Sequence, residues 1–312
     1  MGRFLVTGGA GFIGSHLVRA LLEDGHEVVV LDDLSTGHRR NLDIAEGRIS
    51  FVEGDIRDLS TVQRAVDGSE VVFHQAALPS VPRSVRDPAA TNAVNVTGTL
   101  NALIAARDAG VRRLIYASSS SVYGGAPTLP KHESMKPEPR SPYAVSKLAA
   151  ENYCTAFFRT YGLETVALRY FNVFGPRQDP HSQYSAVIPR FIATYLSGAP
   201  PTIYGDGGQT RDFTYVDNVV DANLRAAEAP GAAGKVFNVA CGSQISINEL
   251  ARMLGEMLGT SVQPVHVPAR DGDVRDSLAS VESAEVTLGY RPLVEFEEGL
   301  RRAVAAFGRS DR

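Results

Sequence analysis

Cysteine is nearly absent: the 312 residues hold two, Cys154 and Cys241. Two thiols make neither a disulfide framework nor a structural zinc site, and they suit a reducing compartment; no metal is expected. There is no tryptophan, and no apolar run approaches the roughly 20 residues that span a bilayer. An excess of basic charge is missing as well. Lys and Arg number 31 against 35 Asp and Glu, a net −4 with the signs mixed, which leaves no electrostatic footprint for nucleic acid or an anionic membrane. No leader is expected, because Arg3-Phe4-Leu5-Val6 already reads as a strand and Val6 stands where a myristoylation signal needs Ser or Thr. Internal repeats and low-complexity linkers are also lacking. With 44% hydrophobic and 21% charged residues, the expectation is a soluble cytoplasmic protein of one large or two medium domains.

What is present is an alternation of short apolar runs and helix-period segments. The run at 3–6 leads directly into Thr7-Gly8-Gly9-Ala10-Gly11-Phe12-Ile13-Gly14, followed by a helical segment over 15–23 that Gly25 ends. Val28-Val29-Val30-Leu31 is the next strand and closes on Asp32-Asp33. Strand, glycine turn, helix, strand and acid form the dinucleotide-binding pattern. Gly8 permits the tight turn, Gly11 lets the backbone approach a pyrophosphate, and Gly14 allows close helix–strand packing. The helix start at Phe12 and Ile13 then faces the phosphates. The spacing G-x-x-G-x-x-G departs from the commoner G-x-G-x-x-G, and its weight comes from its place between strand and helix, with Asp32 about twenty residues on. Asp32 suits the adenosine ribose hydroxyls and repels a 2′-phosphate. No Arg follows it directly, Arg39 and Arg40 coming later, so NAD is expected rather than NADP.

A third strand over 49–52 ends in Gly54-Asp55-Ile56-Arg57-Asp58. Asp55, beside Ile56, suits either the adenine amino group or the cap of a helix over 59–66. A fourth strand over 70–73 is followed by His74-Gln75-Ala76-Ala77, small enough for a cofactor to lie close. One long helix is expected over 87–110 and a fifth strand over 112–116. Apolar strands alternating with helices mean an α/β fold with a doubly wound parallel sheet, whose ligands sit at the strands' carboxyl ends.

The fifth strand leads into Ser118-Ser119-Ser120-Ser121, either a polar turn or a row of hydroxyls where nicotinamide and substrate meet. Ser141 and Pro142 then open a helix to about Tyr161 with a good cap and first residue. Tyr143 and Lys147, four apart, share a face of it. An ammonium there is expected to draw the phenol, ordinarily near pKa 10, toward working pH and so supply a base for a sugar or alcohol hydroxyl.

Gly8-x-x-Gly11-x-x-Gly14, Asp32, Asn95, Ser119 and Tyr143-x-x-x-Lys147 together resemble the extended short-chain dehydrogenase/reductase family, and within it the UDP-sugar 4-epimerases. The resemblance implies a Rossmann domain over 1–170 that includes the Tyr/Lys helix. It implies a smaller, mainly UDP-sugar-binding part over 171–312, with some chain returning to the first. Ser119 would hydrogen-bond the reacting C4 hydroxyl, Tyr143 would be the base, and Lys147 would hold the nicotinamide ribose. Asn95 would brace the active-site backbone and Ser121 would meet a second sugar hydroxyl. Relatives that eliminate water carry an acid pair after the position of Ser119. This chain reads Ser119-Ser120-Ser121-Val122-Tyr123-Gly124, with no carboxylate, which favours epimerisation.

In the second half the resemblance implies that Asn172 donates to the substrate diphosphate, Phe171 packs near the sugar, and the loop from Gln178 to Tyr184 brackets the uracil. Val187, at the start of a helix predicted over 186–197, and Tyr204 are further substrate contacts on the same ground. Arg211 and Arg270 would bind the diphosphate, for which a guanidinium fork is suited. Ser277, small where glucose/galactose-restricted epimerases carry Tyr, would leave room for a 2-acetamido group. Amphipathic helices are expected over 217–229, 246–258 and 296–307. The implied activity is NAD-dependent C4 inversion of a UDP-hexose, of the glucose or the N-acetylglucosamine series, by a homodimer joined through helices near Asp87 and Ser141. The rivals are a UDP-glucuronate 4-epimerase, which needs a cation near C6 (Arg83, Arg86 and Arg177 are available), and a non-catalytic nucleotide-sugar-binding protein.

Overall fold

The apolar runs of the first half, with one from the second, assemble into a single sheet. Its strands are β1 (Arg3–Thr7), β2 (Glu27–Asp32), β3 (Ile49–Glu53), β4 (Val71–His74), β5 (Arg113–Ser119), β6 (Glu164–Tyr170) and β11 (Lys235–Val239). They lie in the order β11-β6-β5-β4-β1-β2-β3, every neighbouring pair parallel. The computed structural model describes residues 2–45, 47–180, 186–269 and 275–310. Side chains alternate along a strand, so Phe4, Val6, Val28 and Val30 enter one core while Leu5, Val29 and Leu31 enter another. Cover on both faces is why these strands read as unbroken apolar runs.

Helices α1 (Phe12–Glu23), α8 (Val216–Glu228) and α10 (Glu282–Leu288) cover the first face. The second is covered by α2 (Leu59–Val66), α5 (Thr99–Asp108) and α6 (Pro142–Tyr161). A third core, around Phe174, Phe191, Phe213 and Phe296, packs α7 (Val187–Leu196), α9 (Ile247–Leu258) and α11 (Phe296–Ser310). Short strands pair on this side: β7 (Val173–Phe174) with β10 (Thr214–Tyr215), β8 (Thr202–Tyr204) with β13 (Val265–Val267), and β9 (Thr210–Arg211) with β12 (Ile245–Ser246). Among the described residues no helix is long and apolar enough to cross a membrane, and no cluster of His, Cys, Asp or Glu is placed to hold a metal ion.

Two expectations change. The single helix over 87–110 is interrupted: α3 (Val81–Arg86) and α4 (Pro88–Asn92) come first, then a π-helical turn at Ala93–Gly98, then α5. Pro88 holds Asp87 out of the helical region, and the Asp87 carboxylate starts the new helix by accepting from the Ala90 N–H at 2.9 Å. Strand β5 also runs on past Tyr116, pairing Ser118 and Ser119 with Arg169 and Tyr170 of β6. Half of the serine run is therefore strand, and a 3-10 turn begins only at Ser120. By contrast α6 starts as read: the Ser141 hydroxyl accepts from the Ala144 N–H at 3.1 Å, Pro142 takes the first position, and Gly162 ends the helix at φ 74°.

Candidate active site

The sheet order reverses between β1 and β4, and a crevice opens there at the carboxyl ends. Gly8 sits at φ 69°, where a Cβ would lie 2.7 Å from the Ala76 nitrogen. A Cβ on Gly14 would lie 2.1 Å from the Gly8 carbonyl oxygen, so only glycine lets α1 approach the turn. Gly11 caps α1 without a side chain, leaving the helix start open toward the cleft. Gly8, Gly11, Phe12, Ile13, Gly14, Asp32, Asp55, Ile56, Gln75, Ala76 and Ala77 all line this cleft, and Tyr143 and Lys147 close its far end.

Asp32, buried at the end of β2, accepts from the Ala10 N–H at 2.9 Å and the Leu34 N–H at 2.8 Å. Burial raises its pKa and these two bonds pull it back. Asp33 shares the wall, so a 2′-phosphate would meet two carboxylates. Neither later arginine relieves this. Arg39 lies over the Phe51 ring at 4.3 Å and 3.7 Å from Glu53, and Arg40 lines another depression. Asp58 caps α2, accepting from the Ser60 N–H at 3.0 Å, which leaves Asp55 at the cleft, tied to Arg57. A glycine cradle, an open helix start and a ribose-height carboxylate fit NAD.

Lys147 is buried and donates to the Ala117 carbonyl at 2.9 Å, its Nζ 5.9 Å from the centre of the Tyr143 ring. Burial lowers its pKa to about 7. Loss of water around Tyr143 raises the phenol's pKa, opposed by a hydrogen bond with the Ser119 side chain. The expected pull of the ammonium on the phenol is thus outweighed in the protein alone. The ammonium is occupied by a carbonyl and is itself disfavoured by burial. Ser119 ends β5 and its hydroxyl accepts from the Ser121 N–H at 3.2 Å.

Asn95 lies in the π-helical turn and is buried. Its amide accepts from the Leu78 N–H at 2.8 Å and donates to Ser146 Oγ at 3.0 Å, tying the loop after β4 to α6. The Asn95 carbonyl accepts from Thr99 Oγ1 at 2.7 Å, and Thr99 Oγ1 lies 3.0 Å from His74 Nε2. Since that hydroxyl proton is used, His74 donates through Nε2 and accepts at Nδ1 from Thr7 Oγ1, 2.7 Å away. His74 is buried and neutral, its pKa pushed down to about 3.

A second cavity meets the first at Phe12, Ile13, Tyr143 and Tyr170, which line both. Its walls hold Ser119, Ser121, Phe171, Asn172, Arg211 and Ser277. Ser121 Oγ is buried there without a hydrogen-bond partner among the described residues. Asn172, at φ 33°, donates to the Asp212 carbonyl at 3.0 Å and reaches Ser277 Oγ at 3.5 Å. Arg211 donates to the Thr210 and Arg275 carbonyls at 2.8 and 2.9 Å. Two residues expected here stand elsewhere. Val187 opens α7 and packs on the third core, and Tyr204 ends β8, where its carbonyl accepts from Gln209 at 2.7 Å. Neither lines the cavity; the helix start offers Ala186 instead. Arg270 lies outside the described residues, as do residues 181–184 of the expected uracil loop. The walls also contain Lys131, Asp276 and Tyr170, which the sequence reading did not single out. Tyr170 was findable as the last residue of a strand ending at the ligand edge; Lys131 carried no such signal.

A doubly wound parallel sheet with a glycine cradle and a Ser, Tyr and Lys cluster at the cofactor's far end defines a short-chain dehydrogenase/reductase type of enzyme. The chain belongs to the NAD dependent epimerase/dehydratase family, whose profile matches residues 4–240. It is 44% identical over 309 residues to the UDP-glucose 4-epimerase of Mycolicibacterium smegmatis, covering 98% of each chain. Among solved structures it is similar to a UDP-N-acetylglucosamine 4-epimerase from Methanobrevibacter ruminantium in complex with UDP-N-acetylmuramic acid, at TM-score 0.95 and 40% identity over 99% of both chains. It is likewise similar to a Thermus thermophilus UDP-glucose 4-epimerase in complex with NAD, at TM-score 0.90 and 40% identity over 98% of this chain and 99% of that one.

Proposed function

We propose that this enzyme inverts C4 of a UDP-hexose through a transient 4-keto sugar. The observation that carries the reading is the set of groups at the junction of the two cavities. Ser119 and Tyr143 meet there, and the only carboxylate in the sugar-side wall among the described residues, Asp276, is engaged by the Thr210 N–H and hydroxyl at 3.2 and 2.8 Å. Elimination of water needs a free acid–base group beyond the tyrosine; reversible oxidation at one carbon does not. Bound NAD supplies the reversible hydride acceptor at C4. The cleft residues orient it: Asp32 on the ribose hydroxyls, the α1 start on the phosphates, Lys147 toward the nicotinamide ribose. Tyr143 takes the C4 hydroxyl proton as the ketone forms and returns it after the sugar has presented its other face. Ser119 holds that oxygen throughout, and Asn172 and Arg211 keep the diphosphate anchored.

Tyr143→Phe is expected to abolish C4 inversion, followed by proton NMR on UDP-glucose and UDP-N-acetylglucosamine, while NAD stays bound. A near-wild-type rate in that variant sinks the mechanism. Ser277, small and facing the cavity, supports room for a 2-acetamido group. A homodimer is supported by exposed Val85 on α3 and Val145 and Tyr153 on α6, apolar side chains on two helices that pack together. Val145→Asp is expected to halve the mass measured by light scattering, and an unchanged mass rules this face out. A reducing compartment such as the cytoplasm suits the two unpaired thiols.

A further inference from the structure

The sugar-side cavity contains one lysine, and its setting is unusual. Lys131 is 3% exposed, yet its ammonium has a single described acceptor, the Ala126 carbonyl. Its backbone is fixed from three directions. The Lys131 N–H donates to the Leu278 carbonyl at 2.7 Å, and its carbonyl accepts from the Ser280 N–H at 2.8 Å and from Asn238 Nδ2 at 3.0 Å. The neighbouring carboxylates do not take the ammonium: Glu138 acts on it only through space, and Glu133 accepts from the Asn238 N–H at 2.7 Å. Closing a loop onto one carbonyl requires a single donor, whereas an ammonium has three and is costly to bury unpaired. The same wall carries the unpartnered Ser121 hydroxyl. Two sets of unfilled hydrogen-bonding groups therefore line one space with Ser277. Arg83, Arg86 and Arg177 are absent from that wall.

We propose that Lys131 is a sugar-binding and specificity-determining residue. Its ammonium, with the Ser121 hydroxyl, takes oxygens of the hexose other than the C4 hydroxyl, and lets the site accept a hexose that carries a carboxylate there. The assignment rests on reading this cavity as the sugar site of a UDP-hexose enzyme. A neutral hydroxyl gains one hydrogen bond from a cation, while a carboxylate gains that bond together with the attraction of opposite charges, so the loss of Lys131 separates the two.

The test is calorimetric titration of NAD-loaded wild type, Lys131→Met and Lys131→Gln with UDP, UDP-glucose and UDP-glucuronate. The Gln variant keeps a donor for the Ala126 carbonyl, so the comparison stands even if the Met variant fails to fold. Wild type is expected to bind UDP-glucuronate at least as tightly as UDP-glucose. In the variants UDP affinity stays unchanged, UDP-glucose weakens about 10-fold and UDP-glucuronate about 100-fold. Equal weakening of all three ligands makes Lys131 a prop for the wall and overturns the proposal. So does equal or no weakening of the two sugars. Turnover is scored separately by NMR: wild type that binds as stated but inverts neither sugar overturns the proposed function and leaves the Lys131 assignment standing.

Discussion

Glu151, one turn beyond Lys147 on α6, is 4% exposed beneath the serine end of β5. It accepts from Ser118 Oγ at 2.8 Å and from Arg169 Nε at 3.0 Å, with a second close contact to the same guanidinium. Arg169 is 3% exposed and lies 4.7 Å over the Tyr123 ring, and its Nη1 already lacks a described partner. Glu151→Leu leaves that cation buried with no carboxylate, only the ring and hydroxyl of Tyr123 for company. Removing one member of a buried pair costs about 3–5 kcal/mol, a large fraction of the 5–15 kcal/mol that typically holds a domain together. Glu151→Leu with Arg169→Met removes both charges, and the residual loss, chiefly the Ser118 acceptor, is expected near 1 kcal/mol. Urea unfolding followed by circular dichroism, with wild type, both singles and the double, yields the coupling energy. Kinetics on the double variant report whether Ser119 has lost its position. A single-variant loss below about 1 kcal/mol, or a double variant as unstable as the single, refutes the claim that this pair holds the end of β5 by mutual neutralisation.

Two further outcomes follow from the cofactor side. Asp32→Ala leaves the Ala10 and Leu34 N–H groups without their acceptor and removes one of two carboxylates facing a 2′-phosphate. The ratio of NADP to NAD dissociation constants is expected to fall by about 10-fold or more, read by calorimetry on nucleotide-free protein; an unchanged ratio means that Asp32 does not select. Lys147 has a folded pKa of about 7 against 10.5 for the free side chain. Between those values the unfolded chain binds the extra proton, so this residue's contribution to stability is flat below about 7 and rises with pH through the window above it. Lys147→Met removes that slope, and parallel urea-midpoint curves for the two proteins across the window would contradict the burial argument.

What was legible in the sequence is what short-range geometry dictates. The three glycines, Asp32 and the Tyr143/Lys147 spacing each state their own backbone or face requirement, and the structure puts all of them around one cleft. Residues that depend on distant packing were not legible. Lys131 becomes part of a site only because segment 278–280 comes back to bond it. The π-helical turn at Asn95 has no proline, and its one glycine, Gly98, stands only at its last position. Val187 and Tyr204 stand beside the segments that line the cavity, which shows that a motif points to a segment more readily than to the side chain that turns inward. The Asp55 alternatives were separated by Asp58, three residues on, which takes the cap.

The seventh strand of the sheet is supplied by residues 235–239, after the chain has already left for α7 and α8. Tyr123, in the 3-10 turn after β5, donates to Asn238 of that strand at 2.7 Å. The nucleotide-holding half is therefore not a cassette that can be cut out or transplanted: a chain ending after β6 would bare a long apolar edge and drop the tyrosine's partner. Exchanging that half for another would break the sheet, whereas a substitution at a cavity residue such as Ser277 or Lys131 leaves the scaffold whole.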